Sequence, residues 1–207
     1  MRSSLCVVLV SFGLVLFLAA SASANLTISL GTIPLLPNTA DQVVPVMVHG
    51  GDAVEGVTFN VRIGDGLAPL PAPAPTITDL DILGTAAQPT IFYLDNTGQV
   101  DPDGPNDPFP YYESRTTTTT ADATVAGEGL LARVTISTLG VNSGAWDLIL
   151  KDPAGFATEF PGTSVTIQDG RVEIVPEPST WLVLASALFG VPVWLLRRRI
   201  GRAAQAT

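Results

Sequence analysis

Gly56-Val57-Thr58-Phe59-Asn60-Val61-Arg62-Ile63, closed by Gly64-Asp65-Gly66, is the stretch whose reading decides the fold. Val57, Phe59, Val61 and Ile63 alternate with Thr58, Asn60 and Arg62. A period of two puts one set on each face of an extended strand, apolar side inward. The two glycines and the aspartate end it with turn chemistry. It is the cleanest such alternation in the chain.

Outward from it the same period recurs. Upstream, Val44, Val46 and Val48 alternate around Pro45 and Met47, and Leu26, Ile28 and Leu30 alternate with Thr27 and Ser29. Pro45 has no amide donor, so its strand is expected at a sheet edge or at a bulge. Downstream, Pro69, Pro71, Pro73 and Pro75 make an extended connection that no central strand could accept. Ile77, Leu80, Ile82 and Leu83 resume the pattern, followed by residues 90–94. Residues 111–120 end in five threonines, which favours a twisted edge strand, with O-glycosylation as the functional alternative.

Ala132, Val134 and Ile136 point inward, with Arg133, Thr135 and Ser137 outward. Trp146, Leu148 and Leu150 share one side. Asp152-Pro153-Ala154-Gly155 is a turn. Val165 and Ile167, then Asp169-Gly170, then Val172 and Ile174 predict a terminal hairpin. Nine or ten short strands, with no helical period except at the two ends, give an all-β fold. Its expected architecture is a two-sheet antiparallel sandwich of jelly-roll type.

Both ends read as targeting segments. Met1-Arg2-Ser3-Ser4 is a short basic region, residues 5–20 are apolar, and Ala22-Ser23-Ala24 fits a signal cleavage site. Residues 1–24 are therefore expected to form a signal helix that is removed. Cys6, the chain's only cysteine, leaves with it. The mature protein then has no thiol for a disulfide, a metal or a nucleophile. At the other end, residues 179–196 carry no charge. As a helix they would rise about 27 Å, near the ~30 Å hydrocarbon thickness. Trp181 and Trp194 stand near the ends of that run, and Arg197, Arg198 and Arg199 follow as a stop-transfer cluster.

Pro176-Glu177-Pro178 directly before this span, with the arginines directly after it, resembles the PEP-CTERM sorting signal of Gram-negative bacteria. The resemblance implies processing by an exosortase near that motif. It also implies an association with exopolysaccharide production, and export to the inner membrane followed by the cell surface or extracellular matrix.

What remains, residues 25–175, suits one domain. A chain of that size buries roughly 68–70% of its extended surface without staples. It holds five basic residues (Arg62, Arg115, Arg133, Lys151 and Arg171) against 18 acids, a balance of −13. Such a surface repels nucleic acid and anionic lipid. It suits solubility outside the cell, divalent cations or a basic partner.

Chemistry is sparse. His49 is the sole histidine and sits beside Gly50-Gly51, which predicts a surface position at a turn. No nucleophile elbow, phosphate loop or dinucleotide fingerprint occurs. The chain is therefore expected not to be an enzyme. The alternative is a polysaccharide-active enzyme or carbohydrate-binding module on a jelly roll, but Trp146 is the only tryptophan of the domain and aromatic platforms are few. The one candidate metal site is the acidic, proline-rich stretch 95–110. There Asp95, Asp101, Asp103 and Asp107, with Asn96 and Asn106, offer the hard oxygen ligands that Ca²⁺ takes. The EF-hand spacing fails, since Asn106 and Tyr112 occupy the sixth and twelfth positions counted from Asp101. A solvated turn is the plainer reading.

A second resemblance covers nearly all of the domain. Val44-Pro45-Val46-Met47-Val48, Gly50-Gly51 and Val54-Glu55-Gly56-Val57-Thr58-Phe59-Asn60-Val61 are similar to the opening strands of cohesin-type modules. Gly129-Leu130-Leu131-Ala132-Arg133-Val134-Thr135-Ile136 and Val165-Thr166-Ile167-Gln168-Asp169-Gly170-Arg171-Val172 resemble their later ones. The resemblance implies a cohesin-like sandwich that binds a protein partner through one sheet face. It carries no specific contact residue onto this chain.

Overall fold

Alternating apolar and polar residues fold here into strands throughout, and no α-helix occurs among the described residues. The computed structural model describes residues 25–65, 70, 73–102, 110–121 and 123–175. The signal segment with Ala22 and Ala24, the motif Pro176, Glu177 and Pro178, the span at 179–196 and Arg197, Arg198 and Arg199 lie outside those residues. So do Asp103 and Asp107.

In chain order the strands are β1 (Leu26–Ser29), β2 (Thr32–Leu35), β3 (Gln42–His49), β4 (Ala53–Val54), β5 (Gly56–Ile63), β6 (Thr76–Asp81) and β7 (Gly84–Thr85). They continue as β8 (Gln88–Pro89), β9 (Tyr112–Thr118), β10 (Val125–Ala126), β11 (Gly129–Ser137), β12 (Gly144–Ile149), β13 (Val165–Gln168) and β14 (Gly170–Ile174). Ten of them build two five-stranded sheets, ordered β13-β1-β3-β11-β6 and β2-β14-β12-β5-β9. β4 with β10 and β7 with β8 form two short ribbons.

The inward-pointing residues form one core. Val44, Val46 and Val48 of β3 are buried, as are Val57, Phe59, Val61 and Ile63 of β5. Ala132, Val134 and Ile136 of β11 join them, with Leu148 and Leu150, while Trp146 packs half-buried against the cluster. Each fully buried aliphatic or aromatic side chain of this kind stabilises by roughly 1.5–3 kcal/mol. β9 forms the edge predicted from its threonines. Part of that edge is covered: Val100 exchanges backbone bonds with Thr116, and Thr97 donates to the Thr118 carbonyl.

Three expectations change. β3 is the middle strand of its sheet, so Pro45 is not at an edge. On its β1 side the registered pairs involve only Val48 and His49, which leaves Pro45 outside that ladder. The irregularity lies in the partner strand instead, between Leu130 and Ala132 of β11. Residues 90–94 do not form a strand: they turn, sinking Phe92 into the core and leaving Leu94 exposed.

The third correction concerns the chain's end. β13 and β14 are not a hairpin. β13 pairs in parallel with β1 in one sheet, and β14 pairs in parallel with β2 in the other. The two segments cross between sheets side by side. At the crossing Leu30 N donates to Gln168 O at 3.2 Å, and Arg171 N donates to Gly31 O at 2.9 Å. Gly170 is needed here for closeness, not for a turn. A Cβ on it would stand 2.4 Å from Leu30 Cβ and 2.6 Å from Gly31 O. Asp169 carries the chain across and accepts Leu150 N on its carboxylate at 2.9 Å. Asn25, the first described residue, thus lies at one end of the sandwich and Val175 at the other.

Candidate functional site

β5 presents Thr58, Asn60 and Arg62 away from the core, and β9 presents Tyr112 and Ser114 beside them in register. An outward asparagine on a two-sheet sandwich is normally solvated. Asn60 is instead only 5% exposed. Beyond Ile149 the chain makes the turn at Asp152–Gly155 and returns along β5, where Thr58 and Glu159 exchange backbone bonds at 3.0 Å.

The returning segment closes a polar cluster. Asn60 N donates to Thr158 Oγ1 at 2.9 Å, and that hydroxyl donates to Asn60 O at 2.9 Å. Ser114 Oγ and Tyr112 Oη donate to Asn60 Oδ1 at 2.7 and 3.3 Å. Asn60 Nδ2 faces the carbonyls of Phe156 and Ala157 at 3.4 Å. Satisfied in this way, buried polar groups rigidify a surface rather than weaken it.

Over this cluster lies a groove of about 620 Å³. Asn60, Tyr112 and Ser114 line it from one side, the 151–159 segment from another, and half-buried Val165 and Ile167 of β13 from a third. Phe156 stands 70% exposed at its margin. Lys151, Asp152, Glu159 and Asp169 contribute charge. Two of those carboxylates hold the backbone in shape: Asp152 accepts Phe156 N at 2.7 Å and Asp169 accepts Leu150 N.

The other candidate residues are scattered. Asp95 accepts both Thr120 N and Thr120 Oγ1, at 2.8 and 2.7 Å. These bonds, the backbone one foremost, hold its carboxyl below the ordinary aspartate range. Asp101 pairs instead with Arg115 at 3.2 Å, and Arg115 also pairs with Glu113 at 2.8 Å. Asn96 is turned back onto its own loop, donating to Phe92 O at 2.8 Å. Among the described residues no group of three or more His, Cys, Asp or Glu gathers as a metal site.

His49 is exposed at the strand end, as expected. Its Nδ1 lies 2.8 Å from Glu128 Oε1, and Glu128 Oε2 accepts Gly50 N at 3.0 Å. The histidine bond first, then the Gly50 amide, lowers the Glu128 pKa. Sequence reasoning missed Asn60 and Thr158. The one available signal was an asparagine, a poor strand former, inside the best strand of the chain.

No family model and no curated protein matches the sequence. Solved structures do. A chain of a CaDoc0917–CaCohA2 complex superposes with a TM-score of 0.51 at 16% identity, over 73% of this chain and 100% of that one. A non-cellulosomal cohesin from the archaeon Archaeoglobus fulgidus gives 0.46 at 15% identity, over 76% and 96%. The seventh ScaB type I cohesin from Pseudobacteroides cellulosolvens gives 0.48 at 10%, over 74% and 94%. At such identities the likeness is one of fold: the described residues form a cohesin-like, all-β two-sheet sandwich.

Proposed function

We propose that this chain is an exported, non-enzymatic binding module that takes a protein partner in the groove over Asn60. The observation that supports this reading is the groove's chemistry. Its floor polar groups are spent on one another, and two of its carboxylates are spent on backbone amides. Such a surface is preorganised for contact. Exposed Phe156 offers an aromatic anchor of the kind that dominates interface energetics. Three acids against one lysine at the groove, within a domain of charge −13, favour a partner with a basic or donor-rich face. The chain of similar fold noted above occurs in a two-component complex, which fits the same reading.

The address belongs to the same proposal. Residues 1–24 direct export, 25–175 form the module, and 176–207 tether it through a membrane span at 179–196. An exosortase then cuts near Pro176, Glu177 and Pro178 and moves the module to the cell surface or an exopolysaccharide-bearing matrix.

The test is a comparison of wild type with Phe156→Ala and Thr58→Arg. Each is immobilised and offered envelope proteins and purified exopolysaccharide from the producing cell in parallel. A protein retained by wild type and lost with both variants supports the reading. Retention of polysaccharide alone, or binding that ignores both substitutions, overturns it.

A further inference from the structure

The end of the sandwich from which the chain departs carries a group of exposed apolar side chains. Eight large apolar residues are exposed among the described residues. Three of them, Leu36 (56%), Leu139 (62%) and Val175 (50%), gather at this end. Backbone and side-chain bonds fix the gathering. Val175 N approaches Leu35 O at 3.4 Å, continuing the parallel β2–β14 ladder to its last pair. Thr138, next to Leu139, donates its hydroxyl to Leu36 O at 2.7 Å. Gln42 brackets Leu36, accepting its N–H at 2.7 Å and donating to its carbonyl at 3.0 Å. Gly140 N is held by Asn38 Oδ1 at 2.9 Å. The loops 36–41 and 138–143 are thus tied into one rigid platform with aliphatic tips.

A soluble surface tolerates apolar residues singly, whereas a cluster of them marks a contact. The sequence limits what the contact can be. After Val175 only Pro176, Glu177 and Pro178 precede the uncharged run at 179–196. Three extended residues span at most about 10 Å. If that run crosses a bilayer, this platform is held within about 10 Å of the bilayer's surface.

We propose that the platform docks on the membrane before the tail is processed, with Leu36, Leu139 and Val175 entering the interfacial layer. The inference rests on the membrane-spanning reading of residues 179–196. Apolar faces of interfacial segments sit about 5–10 Å into the headgroup boundary, a depth that loop-tip aliphatics on so short a leash can reach. The same end carries Asp41 and Glu173, both exposed, and no lysine or arginine at the loop tips. It therefore suits zwitterionic better than anionic lipid. Docked in this way, the module stands upright, its opposite end outward.

The experiment uses residues 25–207, the chain that remains once the signal segment is removed and that contains no cysteine, so that one introduced cysteine carries an environment-sensitive fluorophore. Leu36→Cys, Leu139→Cys and, as reference, Leu94→Cys are reconstituted in phosphatidylcholine bilayers containing headgroup-region spin-labelled lipid. Leu94 lies at the opposite end and is 91% exposed, so none of the three sites disturbs the core. Docking predicts a blue shift and loss of emission at positions 36 and 139, but not at 94. Equal emission at all three sites, in a chain that floats with the bilayers, overturns docking and leaves the tail reading intact. Failure of the chain to float with bilayers removes both. A blue shift at 36 and 139 that spin-labelled lipid does not quench assigns the platform to a second copy, and overturns docking as well.

Discussion

Replacing Thr158 by valine keeps the shape of a fully buried side chain and removes one hydroxyl. That hydroxyl satisfies two backbone groups of Asn60 at once, accepting its N–H and donating to its carbonyl, both at 2.9 Å. Valine's methyl leaves no cavity, so the cost comes from two orphaned polar groups. At about 1–3 kcal/mol for each buried unsatisfied group, and with partial relaxation, the loss is about 2–4 kcal/mol. For a domain of this size that lowers Tm by roughly 5–15 °C. Urea unfolding followed by tryptophan emission reads it, because Trp146 packs against the core. Ser114→Ala removes one of two donors to Asn60 Oδ1 and is expected to cost about 1 kcal/mol. The pair should couple, since both act on one asparagine. A Thr158→Val loss below about 0.5 kcal/mol would mean that water already reaches Asn60, and the sealed floor of the groove would not exist.

Gly170→Ala places a Cβ against Leu30 and Gly31 where both segments change sheets. The overpacking should cost about 1–3 kcal/mol in denaturant unfolding; a neutral result would contradict the crossing. Glu128 and Asp95 both have lowered folded pKa values. Their contributions are complete above the ordinary values of 4.5 and 3.8 and are lost as pH falls through the lower folded ones. Glu128→Gln should therefore flatten the acid-side fall in Tm; an unchanged acid limb would refute that origin. Mass spectrometry of the exported protein should find an N-terminus at Asn25 and a C-terminus near residues 176–178. Recovery of the chain intact to Thr207 from cells with active exosortase would refute processing.

Much of the fold was legible because its core strands obey a strict period. β3 buries every second residue, β5 buries its alternating apolar set with Asn60 as the polar exception, and no helical pattern competes between residues 25 and 175. The errors came where a residue's local signal had a non-local cause. Pro45 lacks a donor wherever it sits, but only the reach of β1 decides whether that matters. Asp169-Gly170 looks like a turn, yet the glycine answers to the crossing between β1 and β2 some 140 residues away. The groove was the least legible part. Asn60 and Thr158 are separated by 98 positions, and neither residue type announces the other. The acidic stretch gave the opposite lesson. Its aspartates are close in sequence; of the two described, Asp95 bonds Thr120 and Asp101 pairs with Arg115, while Asp103 and Asp107 lie outside the described residues.

In the proposed role this sandwich holds another protein against the β5–β9 face. In-cell photocrosslinking tests it directly, with a benzophenone amino acid placed at Thr58 in the groove or at Met47 on the outer face of β3. A discrete protein adduct at position 58 and none at 47 is the predicted result. Adducts at 47 alone, or none at 58 in cells that export the chain, would contradict it.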